Sequence, residues 1–130
     1  MKKTILVCCL FCIICMQAYA QVTQKIPTVS KSEFTQKVHQ LNVFVTQNNR
    51  QDAKAECKEL KQMMFDEINI LGMKVSDAQR AKNENDASQY SKLMTKQRTI
   101  YSAVLTLDVD MENNGSKIVD KLNEFEAAIL

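Results

Sequence analysis

From Thr28 to Leu130 this chain contains no proline and only two glycines, Gly72 and Gly115. A sheet of several strands needs tight turns, and tight turns need residues that reach left-handed or proline-fixed backbone geometry. With so few of them, helices joined by short polar links are the accessible solution. Pro27, the single proline, lies in the aperiodic stretch 21–29, which is expected to be an extended, mobile leader.

Apolar spacing supports four helices. Ser30 precedes Glu33 by three positions, the capping-box pattern in which each side chain bonds the other residue's backbone N–H. Phe34, Val38, Leu41 and Val45 then recur at intervals of four, three and four, one face of a helix. Asn48 and Asn49 are expected to end it, because Asn tolerates the left-handed geometry of a helix stop. A second helix from about Arg50 carries Cys57, Leu60, Met64, Ile68, Leu71 and Val75 on one stripe, widened by Phe65. Gly72 within it costs about 1 kcal/mol relative to alanine, which suggests a close crossing by another helix.

Residues 76–89 hold no large apolar side chain and read as a polar tip, with a turn near residues 83–85. Asp86 is the expected cap of a third helix, with Gln89 completing its box. That helix shows Leu93, Gln97, Ile100, Val104, Leu107 and Met111, with Tyr90 and Tyr101 alongside. Asn113-Asn114-Gly115 reads as its stop, with Gly115 in the left-handed conformation. A last helix uses Ile118, Leu122, Phe125 and Ile129. The expected fold is all-α: one antiparallel, up-down-up-down bundle of about four helices over residues 30–130, with a long central hairpin.

Ahead of it, Lys2 and Lys3 open the chain, residues 5–16 are a continuous apolar run of 12, and Ala18-Tyr19-Ala20 closes it. Basic start, short apolar middle and A-x-A end are the parts of a secretory signal peptide. A run of 12 is shorter than the roughly 20 residues of a stable span. Residues 1–20 are therefore expected to be cleaved after Ala20, sending the mature chain to the periplasm or outside the cell with no stable membrane span. Cys8, Cys9, Cys12 and Cys15 leave with the peptide, which disposes of a zinc site built on them. A lipoprotein cut before Cys15 is disfavoured by the bulky Ile14 in front of it.

Export changes the meaning of the charge. The whole chain has 17 Lys plus Arg against 15 Asp plus Glu, and losing Lys2 and Lys3 leaves 15 against 15. A formally neutral mature chain offers no electrostatic argument for nucleic-acid binding.

Candidate chemistry is thin. Cys57, the last thiol, is expected to be a small buried hydrophobe, with an intermolecular disulfide as the sharper alternative in an oxidising environment. His39 has Thr35, Gln36, Asn42 and Val43 one turn away, so no helical metal pair can be written. A calcium loop from Asp108 would need glycine at 113 and a carboxylate at 119, where this chain has Asn113 and Val119. Asp108 and Glu112 are instead expected to form a solvated, mildly self-repelling strip. Asn114 begins an N-glycosylation triplet, set aside for a capping role. The methionines show no repeated metal-binding spacing and are expected to fill core gaps. Gln97, polar at a core position, is expected either to make a buried hydrogen bond or to be rotated outward.

No catalytic, cofactor-binding or metal-ligating residue is assigned and no cofactor is expected. The leading expectation is a non-catalytic exported protein that binds or scaffolds an unknown protein partner in the cell envelope. Contact would run through the tip at 77–89 or an exposed part of an apolar stripe, with a possible homodimer. A carrier of a small apolar ligand or lipid is the alternative. An enzyme built on His39, Cys57 and the acids of 108–112 ranks third. The export reading predicts that protein recovered from its host has an intact mass beginning at Gln21; a mass that retains residues 1–20 refutes it.

Overall fold

The computed structural model describes residues 28–130; the expected signal peptide at 1–20 and nearly all of the leader at 21–29 lie outside them. Among the described residues the chain forms four α-helices and no strand. They are α1 (Lys31–Thr46), α2 (Arg50–Arg80), α3 (Glu84–Asp108) and α4 (Met111–Glu126).

The turns follow local chemistry. Ser30 Oγ accepts the Glu33 N–H at 3.3 Å and starts α1. Asn48 adopts the left-handed φ of 55° expected of a stop residue, and Asn49 caps α2 by accepting the Asp52 N–H. At the far end of α2, however, the left-handed residue is Lys82, a side chain that carries a strain cost of about 1 kcal/mol there. The cap of α3 is Asn83, not Asp86: Asn83 Oδ1 accepts the Asp86 N–H at 3.1 Å, and its amide donates to the Asp86 carboxylate at 2.7 Å. Asp86 thus serves α3 from inside its first turn.

The expected stop at residues 113–115 is overturned. The chain turns at Val109 and Asp110, and Gly115 lies inside α4 with no left-handed φ. The two asparagines act as helix-start partners instead. Asn113 donates to the Asp110 carboxylate, and Asn114 donates to the Leu107 carbonyl at 3.3 Å, satisfying an acceptor that the end of α3 leaves open. Met111 consequently belongs to α4, where it is buried.

The helices pack as a closed ring, α1 on α2, α2 on α3, α3 on α4 and α4 back on α1, with α2 also touching α4 and α1 apart from α3. Phe34, Leu41, Cys57, Leu60, Met64, Val104, Ile118, Leu122 and Phe125 are fully buried along the axis. Each large apolar side chain so buried stabilises by about 1.5–3 kcal/mol. The Phe34 and Phe125 rings meet at 5.5 Å, tilted by 36°. Lengths of 31 and 25 residues for α2 and α3 against 16 for each outer helix make the inner pair outrun the outer one. Beyond the ring, Lys74 lies over the Tyr90 ring and Gly72 faces Met94.

Neither glycine plays the role its sequence context suggests. A Cβ on Gly72 would sit 3.7 Å from the Met94 sulfur, an ordinary contact, so no close crossing demands glycine there. A Cβ on Gly115 would fall 2.8 Å from Cγ1 of Val45, a branched side chain with little freedom to yield. Gly72→Ala is expected to raise the free energy of urea unfolding by up to about 1 kcal/mol. Gly115→Ala is expected to lower it, because overpacking of about 1–3 kcal/mol exceeds the helical gain. A Val45→Ala change in the Gly115→Ala background should cost less than the two single losses combined.

Candidate functional site

Two residues one step past the core stripe make the most distinctive surface of the molecule. Phe65 follows the buried Met64 and Leu105 follows the buried Val104, and one residue turns a helix by about 100°. Both side chains therefore leave the core, with 47% of Phe65 and 43% of Leu105 exposed. This corrects the expectation that Phe65 widens the buried stripe of α2. Tyr101 lies between them, its ring 6.5 Å from that of Phe65. Together with Lys58, Lys61 and Gln62 these three line an open recess along the outer face of α2 and α3.

The rim of this recess is basic. Lys61 forms an ion pair with Asp108, which bridges α2 to the end of α3. Partial burial works against the Lys61 charge, but the Asp108 carboxylate outweighs it and holds the ammonium above its usual range. Lys58 makes no ion pair among the described residues. An apolar floor with an unneutralised cation beside it can hold an apolar side chain that carries a carboxylate nearby.

The candidates singled out by sequence are dispersed or engaged elsewhere. Cys57 is fully buried, as expected of a small core hydrophobe. Its Sγ lies 3.6 Å from Asp108 Oδ1. Burial first, and the Asp108 charge second, push the thiol up to about 12, with Lys61 opposing. That is the reverse of an activated nucleophile, which needs a lowered pKa and access. His39 is exposed on α1, remote in character from the sealed thiol. Asp108 and Glu112 are not a self-repelling strip: half-buried Asp108 pairs with Lys61, and Glu112, exposed as expected, pairs with Arg50 at the start of α2. Asp110 is held by Asn113. Among the described residues no three His, Cys, Asp or Glu side chains group as a metal site would require. Met64 and Met111 are core residues and Met63 and Met94 pack against them, whereas Met73 is largely exposed.

Gln97 makes the buried hydrogen bond that was one of its two expected fates, donating from Nε2 to the Ala128 carbonyl at 2.8 Å. The residue that sequence reading passed over is Glu67, only 5% exposed in the core of α2. Its signal was available, since Glu67 lies seven positions after Leu60 and three after Met64 on the apolar stripe.

A second recess opens beside the turns at Asn48 and Asp110, floored by Phe44, Val45, Ala53 and Met111, with Arg50 and Glu112 at its edge. No helix of the described residues is long and apolar enough to cross a membrane.

Comparison with protein-family models, with curated proteins and with solved structures gives no match for this chain. Its class therefore rests on the fold itself, a small all-helical bundle whose distinctive feature is a surface recess. The buried thiol supplies a test of the core. In native protein Cys57 should be inert to a thiol reagent such as DTNB and react fully once urea unfolds the chain; rapid labelling of folded protein would place the side chain at the surface.

Proposed function

We propose that this chain is an exported, non-catalytic binding or scaffolding protein of the cell envelope, built as an antiparallel up-down-up-down bundle. The reading of topology draws on pairings in opposite chain order, Lys61 with Asp108, Phe65 with Tyr101 and Lys74 with Tyr90. Export draws on the pattern of residues 1–20. Binding draws on one observation above all: the Phe65–Tyr101–Leu105 recess presents apolar surface to solvent beside Lys58. A core residue would be buried and a solvated face would be polar, so this surface suits a partner segment with an apolar anchor and acidic flanks. That face lies on the outside of α2 and α3, level with the buried Leu60, Met64 and Val104, so it is displayed without disturbing the core.

The test is retention of envelope proteins by the immobilised mature chain, compared with a Phe65→Ser, Leu105→Ser double variant of unchanged helical circular dichroism. Loss of a specific partner in the variant, at least tenfold, supports the proposal. Identical retention by both proteins, or turnover of a substrate panel by the wild type, overturns it. Light scattering with and without reductant reads the homodimer in the same samples. A second reading, a carrier of a small apolar ligand or lipid, draws on the recess floored by Phe44 and Met111. Native mass spectrometry of protein taken from its host separates the two, since a carrier keeps a bound small molecule.

A further inference from the structure

At the end of the bundle where α1 turns into α2 and α3 into α4, an apolar knob lies next to an apolar hole. The α1–α2 and α2–α3 turns are polar, built around Asn48 with Asn49 and Lys82 with Asn83. The α3–α4 turn instead presents Val109, 89% exposed and the most exposed large apolar side chain among the described residues. Exposed turns are ordinarily made of residues that bond their own backbone, and valine cannot. Beside it opens the recess floored by Phe44, Val45, Ala53 and Met111. The recess holds about 60 Å³; at roughly 10–15 Å³ for each water-sized group, that is room for the three carbons of a valine side chain. Val109 does not line the recess of its own chain, whereas Met111 does. Two positions separate them, so knob and hole are at most about 7 Å apart along the backbone.

The charges at this end are complementary as well. Arg50 pairs with Glu112 and Lys61 with Asp108, and all four are engaged within the chain. Lys54 on the rim of the recess and Asp110 next to Val109 make no ion pair among the described residues. Asp110 is held in place by the Asn113 amide, which donates to its two carboxylate oxygens at 3.2 and 2.9 Å. The knob thus carries an acid and the hole a base.

We propose that the recess is occupied by a second copy of this chain. Two molecules meet end to end about a two-fold axis, Val109 of each entering the recess of the other and Asp110 of each facing the other's Lys54. Knob and hole on one end of one chain are satisfied twice in such a pair, so the assembly closes at two. The expected mature chain is formally neutral, and no net repulsion opposes the approach. Val109 fills the space that the carrier reading gives to a small molecule, so those two occupants are exclusive. The Phe65–Tyr101–Leu105 face takes no part, and the dimer stands or falls independently of the partner proposed for it.

Sedimentation equilibrium of the mature chain tests this. Two small anchors make an interface at the weak end of the range, so the measurement extends to about 1 mM protein. Wild type should approach a dimer and go no further. Val109→Ser, at a position that the single chain leaves in water, should weaken association at least about tenfold with unchanged helical circular dichroism. Lys54→Glu and Asp110→Lys should each weaken it alone. An equimolar mixture of those two variants should associate again, because the mixed pair restores both acid–base contacts. The proposal is overturned by a wild type that stays monomeric, by Val109→Ser associating as the wild type does, by growth beyond a dimer, or by a mixture no better than its components.

Discussion

The fold depends on the contact between its first and last helices. α1 and α4 are separated in sequence by both long helices, and neither α2 nor α3 can cover its apolar stripe without them. Phe34 on Phe125, Val45 on Gly115, and Thr35 on Glu126 close the ring. The apolar part of this closure does most of the work, because burying two phenylalanines outweighs an exposed hydroxyl–carboxylate bond. Gly115 matters for the same reason. It lets the α4 backbone approach Val45 closely enough for the four stripes to share one core.

Polar groups then decide how the closed ring is trimmed. Asp108 ties the end of α3 to α2 through Lys61 and lies against the Cys57 sulfur. Lys37 of α1 bridges to Glu56 and Glu59 of α2 at 3.2 and 2.5 Å. The Glu59 hydrogen bond, against some cost of burial, raises the Lys37 ammonium, and in return lowers the exposed Glu59 carboxyl. Such partly exposed pairs contribute little to stability; they join α1 to α2 along the edge of the apolar contact. Gln97 does more, because its bond to the Ala128 carbonyl is shielded from water.

A consequence of this division is that the surface chemistry is concentrated on the inner pair. α1 and α4 are occupied with closure, whereas α2 and α3 keep an outer face level with the buried Met64 and Val104. Phe65, Tyr101 and Leu105 occur where the inner pair has a face that no other helix of the described residues covers. Reactive groups, by contrast, are withdrawn: the thiol is buried with its proton held, and the acids near it are engaged.

Helix number, the apolar stripes, the first turn at Asn48 and the burial of Cys57 were all legible in sequence, because they follow from local spacing and from the backbone preferences of single residues. The details that failed were those in which one local signal has two meanings. Asn113-Asn114-Gly115 has the composition of a helix stop, yet the asparagines serve a helix start and the glycine serves packing. Gly72 and Gly115 look alike in sequence, and only the neighbour across the interface, Met94 or Val45, distinguishes them. Phe65 and Leu105 sit one position off the stripe, and whether such a residue is covered depends on where the next helix lies. Glu67 lay on the stripe, but its burial follows from the helices packed over α2 rather than from its own spacing. The sequence by itself determined which stretches are helical and which faces are apolar, since those depend on neighbours within a turn or two. Tertiary structure alone decided which polar groups meet and which apolar residues remain in water, because those depend on distances between helices that no local spacing encodes.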